Sequence, residues 1–196
     1  FADKFDATLE QLDYQGPRRI ADQAAAWFGS RDEPADVLDA GCGTGLCGPL
    51  LRPIARRLEG VDLSEKMLAK AAERDAYDEL HLGELTEHLE NRRADLDLIG
   101  LADTFIYIGE LEPFFTAAQG ALRAGGAVVA TFQQCHGDGA DFLLTPTGRY
   151  AHAEGYIRRV LDATGFEIRA FDSAVSRYES GVPDLAHVVL AERRAD

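Results

Sequence analysis

The chain lacks several features that would fix its class at once. It holds no uninterrupted apolar run of the ~18 residues a membrane helix needs, and no charged-then-apolar leader follows Phe1. The expectation is a soluble, cytoplasmic chain with no membrane partner. Cysteine is scarce: Cys42, Cys47 and Cys135 are an odd number without framework spacing, which excludes a disulfide scaffold and fits a reducing compartment. No Cys-x-x-Cys or His-x-x-x-His pair supports a metal, so none is expected, and the cysteines read as small side chains in tight places. Basic residues are outnumbered, 20 against 34 acidic, for a net charge of -14. A polyphosphate would be repelled on average, so nucleic acid is not an expected partner. No repeat or low-complexity linker divides the 196 residues, and one domain, 1–196, is the default.

What is present alternates. The first thirty residues read as helix, break, helix, through Phe5, Leu9 and Leu12, then Gly16-Pro17, then RRIADQAAAWFG. DVLDAG is a strand candidate, and LCGPLLRPIARRL a helix despite Pro49 and Pro53. LEGVDLS gives a second strand, and Ser64 caps the helix SEKMLAKAAERDA. DELHLGEL, ADLDLIGLAD and GAVVATFQQ continue the strands, with LEPFFTAAQGALRAG a helix stopped by Gly125-Gly126. The segment 135–152 reads as a loop, followed by the helix AEGYIRRVLDATG. The runs FEIRAFDSAVSRYES and DLAHVVLAERR leave no room for a crossover helix and must pair antiparallel. The fold class expected is α/β, a Rossmann-like doubly wound sheet of seven strands, mostly parallel, with an antiparallel C-terminal hairpin strand and helices on both faces. Residues 1–33 form an N-terminal helical cover, 34–134 a cofactor-binding core, and 135–196 a substrate loop, helix and hairpin.

The stretch VLDAGCGTGLCGPLL, 37–51, sets four glycines between the first strand and its helix. Such a turn lets a ligand approach the backbone and the helix amides. A triphosphate loop would need Gly-Lys-Ser/Thr, and here Leu46 and Cys47 follow. The dinucleotide fingerprint would need glycine at position 46. Asp39 ahead of the glycines would repel a pyrophosphate and attract a cationic group. Asp62, at the end of the second strand, can accept both hydroxyls of a ribose, or serve the dipole of the helix after it.

VLDAGCGTG, GVDLSEKMLAKA, LGEL, DLIGLADTFIYIGELEPFF and ALRAGGAVVATF, in that order, resemble the class I S-adenosylmethionine-dependent methyltransferases over about residues 36–194. ADTFIYIGELEPFF and GRYAH further resemble a bacterial branch related to tetratricopeptide-containing methyltransferases. The resemblance implies that Gly41, Cys42, Gly43 and Gly45 line the methionine and ribose of S-adenosylmethionine and that Asp39 organises the loop and the ammonium. It further implies that Asp62 holds the ribose diol, that Leu63 and Met67 cover the adenine, and that Glu84, in place of the family's aspartate, reads its amino edge with Leu85.

Methyl transfer from a sulfonium needs alignment and exclusion of water more than a catalytic side chain. Ligands sit beyond the carboxyl ends of such strands. After the fourth strand, Asp103 could bind the ammonium, accept a proton or cap a helix, and Tyr107 could meet the acceptor. After the fifth, His136, Tyr150 and His152 are candidate bases or contacts, and Arg149 could anchor a carboxylate. Asp103, Tyr150 and His152 are the catalytic candidates; Tyr107, Arg149, Tyr150 and His152 the substrate-binding ones. Arg177, Tyr178 and Glu179 receive no role. Phe1, Phe5 and Tyr14 either close over the cofactor or pack as an amphipathic helix. The function expected is methyl transfer by in-line displacement to an oxygen or nitrogen of a small molecule, giving S-adenosylhomocysteine. The alternative is a non-catalytic adenosyl-ligand-binding or protein-interaction domain that keeps the fold; a nicotinamide oxidoreductase is disfavoured by Leu46 and Asp39. The acceptor and the choice between monomer and homodimer are left open.

Overall fold

A computed structural model describes residues 9, 12–29, 31–135, 139–179 and 181–195. Phe1, Phe5, His136 and most of the first expected helix lie outside the described residues. Helix α1, Gly16–Phe28, opens on the Gly16-Pro17 pair expected to break the chain, because proline in a first turn forfeits no helical hydrogen bond. Ile20, Ala24 and Trp27 bury one of its faces.

The strands β1 (Ala35–Ala40), β2 (Ala55–Asp62), β3 (Glu79–Leu82), β4 (Leu96–Leu101), β5 (Leu122–Gln133), β8 (Phe166–Glu179) and β9 (Val182–Arg193) form one seven-stranded sheet. Its order is β3-β2-β1-β4-β5-β9-β8. The first five run parallel, and β9 runs antiparallel to both β5 and β8. The expected sheet and hairpin are both present.

Side chains alternate between two buried layers, as a doubly covered sheet requires. Leu38, Ala40, Val128, Ala130 and Phe132 join the layer under helices α4 (Leu85–Glu90), α5 (Glu112–Ala121) and α6 (Glu154–Ala163). Val37, Ala127 and Val129 join the layer under α1 and the short α2 (Gly48–Leu51). Phe105 stacks on Phe132 at 4.7 Å and meets Phe114 edge-on at 5.0 Å, which anchors the chain leaving β4 in the first layer.

Three boundaries differ from expectation. The helix expected after the glycines stops at Leu51, followed by a 3-10 turn, Arg52–Ile54. Pro53 supplies no N–H and crowds the residue before it, and Arg57 and Leu58, expected helical, pair with Asp36 and Val37. Helix α5 ends at Ala121 rather than at the glycine pair, because Leu122 is already paired with Leu96 and fully buried. The segment expected as a loop contains a small hairpin, β6 (Phe142–Leu144) with β7 (Tyr150–His152). Between β2 and β3, α3 spans Glu65–Ala72, and Ser64 caps it by accepting from Met67 N at 3.3 Å. No helix among the described residues is long and apolar enough to cross a membrane.

Candidate functional site

The carboxyl ends of β1, β2 and β4 open on a cavity of about 530 Å³. Gly41 and Gly43 sit at φ +73° and +54°, where a side chain is strained. A Cβ on Gly41 would strike the Thr104 side chain at 2.6 Å, whereas one on Gly43 would meet nothing within 4 Å. Gly43 is therefore the point where backbone faces open space, and Gly41 the point where the loop is clamped to the chain after β4. Thr104 Oγ1 completes that clamp by donating to Ala40 O at 2.9 Å. Gly45 packs on Ala71 and Tyr77 instead and lies outside the cavity lining.

Asp62 accepts from Gly43 N at 2.9 Å on Oδ2 and from Ser64 N at 2.8 Å on Oδ1. It holds the glycine turn and the start of α3 while its remaining lone pairs face the cavity. Asp39 is 1% exposed and accepts from the Tyr77 hydroxyl at 2.6 Å. Burial pushes its carboxyl up to about 7; the Asp62 charge adds to that and the Tyr77 bond opposes it. Cys42 and Cys47 also line the cavity, and burial raises both thiols, so both stay protonated. Leu63, 73% exposed, Met67 and Leu85 supply apolar walls. Glu84 lines the cavity too, but one carboxylate oxygen caps α4 by accepting from Glu87 N at 2.8 Å.

Asp103 and Arg177 line the same cavity. Asp103, at φ +52°, accepts from Thr131 Oγ1 at 2.8 Å and from Arg177 Nη1 at 2.8 Å, with Ser176 Oγ at 3.2 Å. Arg177 is buried and also pairs with Asp184 at 2.7 Å. Asp103 therefore does not cap a helix; the 3-10 turn Phe105–Tyr107 starts without a side-chain cap. Tyr107, 71% exposed, stands at the mouth, and Arg149 lines the wall.

Tyr150 and His152 are not brought into the cavity. His152 is fully buried, and its Nε2–H donates to Gly109 O at 3.1 Å. Its Nδ1 is buried without a partner. Burial draws its pKa down, so the ring is neutral and sealed from any acceptor. Tyr150 packs edge-on against Phe142 at 5.9 Å, and a Cβ on Gly109 would strike its ring at 2.8 Å. Both residues fasten the β6–β7 hairpin to the chain after β4, and neither is part of the cavity lining.

Sequence reasoning left Tyr14 between covering the cofactor and packing, gave Arg177 no role, and missed Tyr77. Tyr14 and Arg177 line the cavity from the chain's two ends, and Tyr77 holds Asp39 from outside. The signal for Arg177 was a lone cation in the otherwise uncharged stretch SAVSRY of a long strand. Elsewhere, Glu59, His81 and His88 bring ligand atoms within 4.8 Å of one another. Arg92 fills that cluster, pairing with Glu59 and donating to His88 Nε2 at 3.1 Å.

The donor set suits a nucleoside bearing a cation. Four carboxylates, Asp39, Asp62, Glu84 and Asp103, line the cavity against two guanidiniums, Arg149 and Arg177.

Residues 37–126 match the family model described as "Methyltransferase domain". A "Probable S-adenosylmethionine-dependent methyltransferase" of Mycolicibacterium smegmatis is 27% identical over 135 residues, 68% of this chain and 52% of that protein. An 18S rRNA (guanine-N(7))-methyltransferase of Bos taurus is 35% identical over 66 residues, 34% of this chain and 24% of that protein. The chain thus spans about half and about a quarter of these two relatives. In fold it resembles the Burkholderia thailandensis 1,6-didemethyltoxoflavin-N1-methyltransferase, crystallised with 1,6-didemethyltoxoflavin and S-adenosylhomocysteine. That likeness has a TM-score of 0.74 at 20% identity and covers 93% of this chain and 80% of that one.

Proposed function

We propose that this chain, whose residues 37–126 match the methyltransferase domain model and which is similar to a probable S-adenosylmethionine-dependent methyltransferase, uses S-adenosylmethionine to methylate an oxygen or nitrogen of a small molecule. The observation that carries the reading is one cavity lined by an open glycine, by the acids Asp39, Asp62, Glu84 and Asp103, by apolar walls, and by Tyr107, Arg149 and Arg177.

S-adenosylmethionine supplies an activated methyl group when bound. The protein's share is alignment. Asp62, fixed by two backbone N–H groups, offers the ribose hydroxyls a rigid acceptor. Asp39 lies where it can balance an ammonium once ionised, with Tyr77 keeping its carboxyl in place. Leu63, Met67 and Leu85 suit an adenine ring, and the 7% exposure of Leu85 against 73% for Leu63 gives that slot a closed and an open face. Asp103 is the candidate general base, but Arg177 and Thr131 hold its oxygens, which favours a positioning role over proton abstraction. Tyr107, exposed in the cavity lining, is placed to contact the acceptor.

A small acceptor suits the cavity's volume, and the net charge of -14 disfavours nucleic acid despite the match to an rRNA methyltransferase. The finer resemblance to the tetratricopeptide-related branch rests on the segments 102–115 and 148–152. Incubation of the protein with labelled S-adenosylmethionine and a small-metabolite extract is expected to give a labelled small molecule. Tight binding of the cofactor with no labelled product across broad extracts would instead support a non-catalytic adenosyl-binding domain.

A further inference from the structure

Three glycines from different segments make a slot for one aromatic ring. A Cβ on Gly48, in the first turn of α2, would strike the ring of Tyr77 at 2.7 Å, and one on Gly60 of β2 would approach it to 3.1 Å. Gly45 in the glycine turn borders the same ring at 3.0 Å. The chain at Tyr77 is fixed through the next residue. Asp78 N donates to Leu58 O at 2.8 Å, and the Asp78 carboxylate accepts from Leu58 N and from Arg52 Nη1, both at 2.7 Å. From there the Tyr77 hydroxyl reaches Asp39 Oδ2 at 2.6 Å. Gly60 is the β2 partner of Asp39, so the side chain missing from one strand makes room for the donor to the other. Asp39 lines the cavity, whereas Tyr77 does not.

That bond acts on charge. Burial of Asp39 disfavours its ionised form. The groups that face it are Asp62 from the end of β2, Cys42 and Cys47 from the glycine turn, and Tyr14 from the segment before α1. Asp62 repels a second negative charge, and burial keeps the two thiols and Tyr14 protonated. Tyr77 works in the other direction. Burial and the Asp39 charge raise its hydroxyl, which therefore keeps its proton and remains a donor. A hydrogen bond donated to a carboxylate favours the ionised state.

We propose that Tyr77 is a positioning residue that, without touching the ligand, stabilises the ionised form of Asp39 and so governs how readily the cavity takes a ligand's ammonium group. The proposal rests on the reading of Asp39 as the partner of that ammonium.

The test is Tyr77→Phe, which keeps the ring in its slot and removes the donor. Carbon-13 NMR of the aspartate carboxyls in the empty full chain follows Asp39 directly, its signal identified by its loss in Asp39→Asn. The Asp39 midpoint is expected to lie about one pH unit higher in Tyr77→Phe than in the parent. Calorimetry with S-adenosylhomocysteine is expected to show the variant binding about tenfold more weakly than the parent at pH 5.5, about fivefold at pH 7 and within about twofold at pH 8.5. The ligand's own titration is common to both proteins and cancels in that ratio. Added to Asp39→Asn, Tyr77→Phe is expected to change affinity by less than about twofold. An unmoved Asp39 midpoint, or a loss of affinity that is equal at every pH, would overturn the proposal, since the ring would then only fill its slot. A raised midpoint with no S-adenosylhomocysteine binding by either protein would uphold the hold of Tyr77 on Asp39 and overturn the cofactor reading beneath it.

Discussion

Asp39 makes cofactor binding depend on pH in a direction that can be worked out in advance. Its carboxyl is raised from 3.8 to about 7, mainly by burial. In the empty protein it is protonated at slightly acidic pH, and a cationic ligand must expel that proton. The apparent dissociation constant then scales as one plus the ratio of protonated to ionised carboxyl. Between pH 7 and pH 5.5 that factor rises from about 2 to about 30, so S-adenosylhomocysteine should bind roughly 15-fold more weakly at the lower pH. The comparison stays below pH 7 because an α-amino group itself titrates near ~8. Calorimetry in two buffers of different ionisation enthalpy should detect close to one proton released at pH 5.5. The stability of the empty protein carries the opposite sign. A carboxyl raised on folding contributes stability below its unfolded value near 4, and that stability is lost as pH rises through 7. The shift corresponds to about 4 kcal/mol as an upper figure for one buried group. Asp39→Asn keeps an acceptor for Tyr77 and removes the titration. It should be more stable than the parent at pH 8, with the gap closing toward pH 5, and should bind S-adenosylhomocysteine more weakly at pH 7 with no pH trend. Parent affinity that is flat from pH 5.5 to 7, with no proton release, would refute the reasoning.

Other perturbations separate binding from folding. Gly43→Ala places a methyl in the open cavity at a cost of about 1 kcal/mol of backbone strain and should abolish S-adenosylhomocysteine binding with little change in Tm; Gly41→Ala strikes Thr104 and should lower Tm by more. Asp62→Ala should weaken cofactor affinity by roughly ten- to hundredfold, read by calorimetry. Because Asp62 also holds Gly43 and Ser64, a drop in Tm should accompany it. His152→Ala should destabilise the protein by about 2–4 kcal/mol in urea unfolding and leave the pH profile of methyl transfer unchanged, whereas a lost basic limb would restore His152 to the chemistry. Tyr107→Ala, at a residue 71% exposed, should raise the KM for the acceptor without moving Tm.

The strand order and the glycine end of the cavity were legible because both rest on local rules. Strand and helix periods alternate along the chain, and Asp39, Gly41, Gly43 and Asp62 lie at fixed offsets from β1 and β2. The surroundings of Asp103 were legible only in part: Asp103 and Arg149 were candidates, but their partners come from residues far apart in sequence. Tyr14, Asp103, Arg149 and Arg177 come from four elements, and only the hairpin's return beside β5 brings Arg177 to Asp103. His152 shows the converse error. Its place after β5 suggested an exposed lid, but the rings of Phe132, Phe142 and Tyr156 enclose it. A histidine's usefulness depends on burial that neighbouring letters do not encode. The early stops of α2 and α5 have the same origin, since Leu58 and Leu122 gain more from a sheet partner and full burial than from another helical turn.

The central claim is that the glycine end of the cavity binds a cationic adenosyl ligand and not a pyrophosphate. Calorimetric titration of the protein at pH 7 with S-adenosylmethionine and, separately, with NAD tests it most directly. The account predicts one-to-one binding of S-adenosylmethionine, weakened by Asp62→Ala, with no heat from NAD. Saturable binding of NAD with no response to S-adenosylmethionine would contradict it.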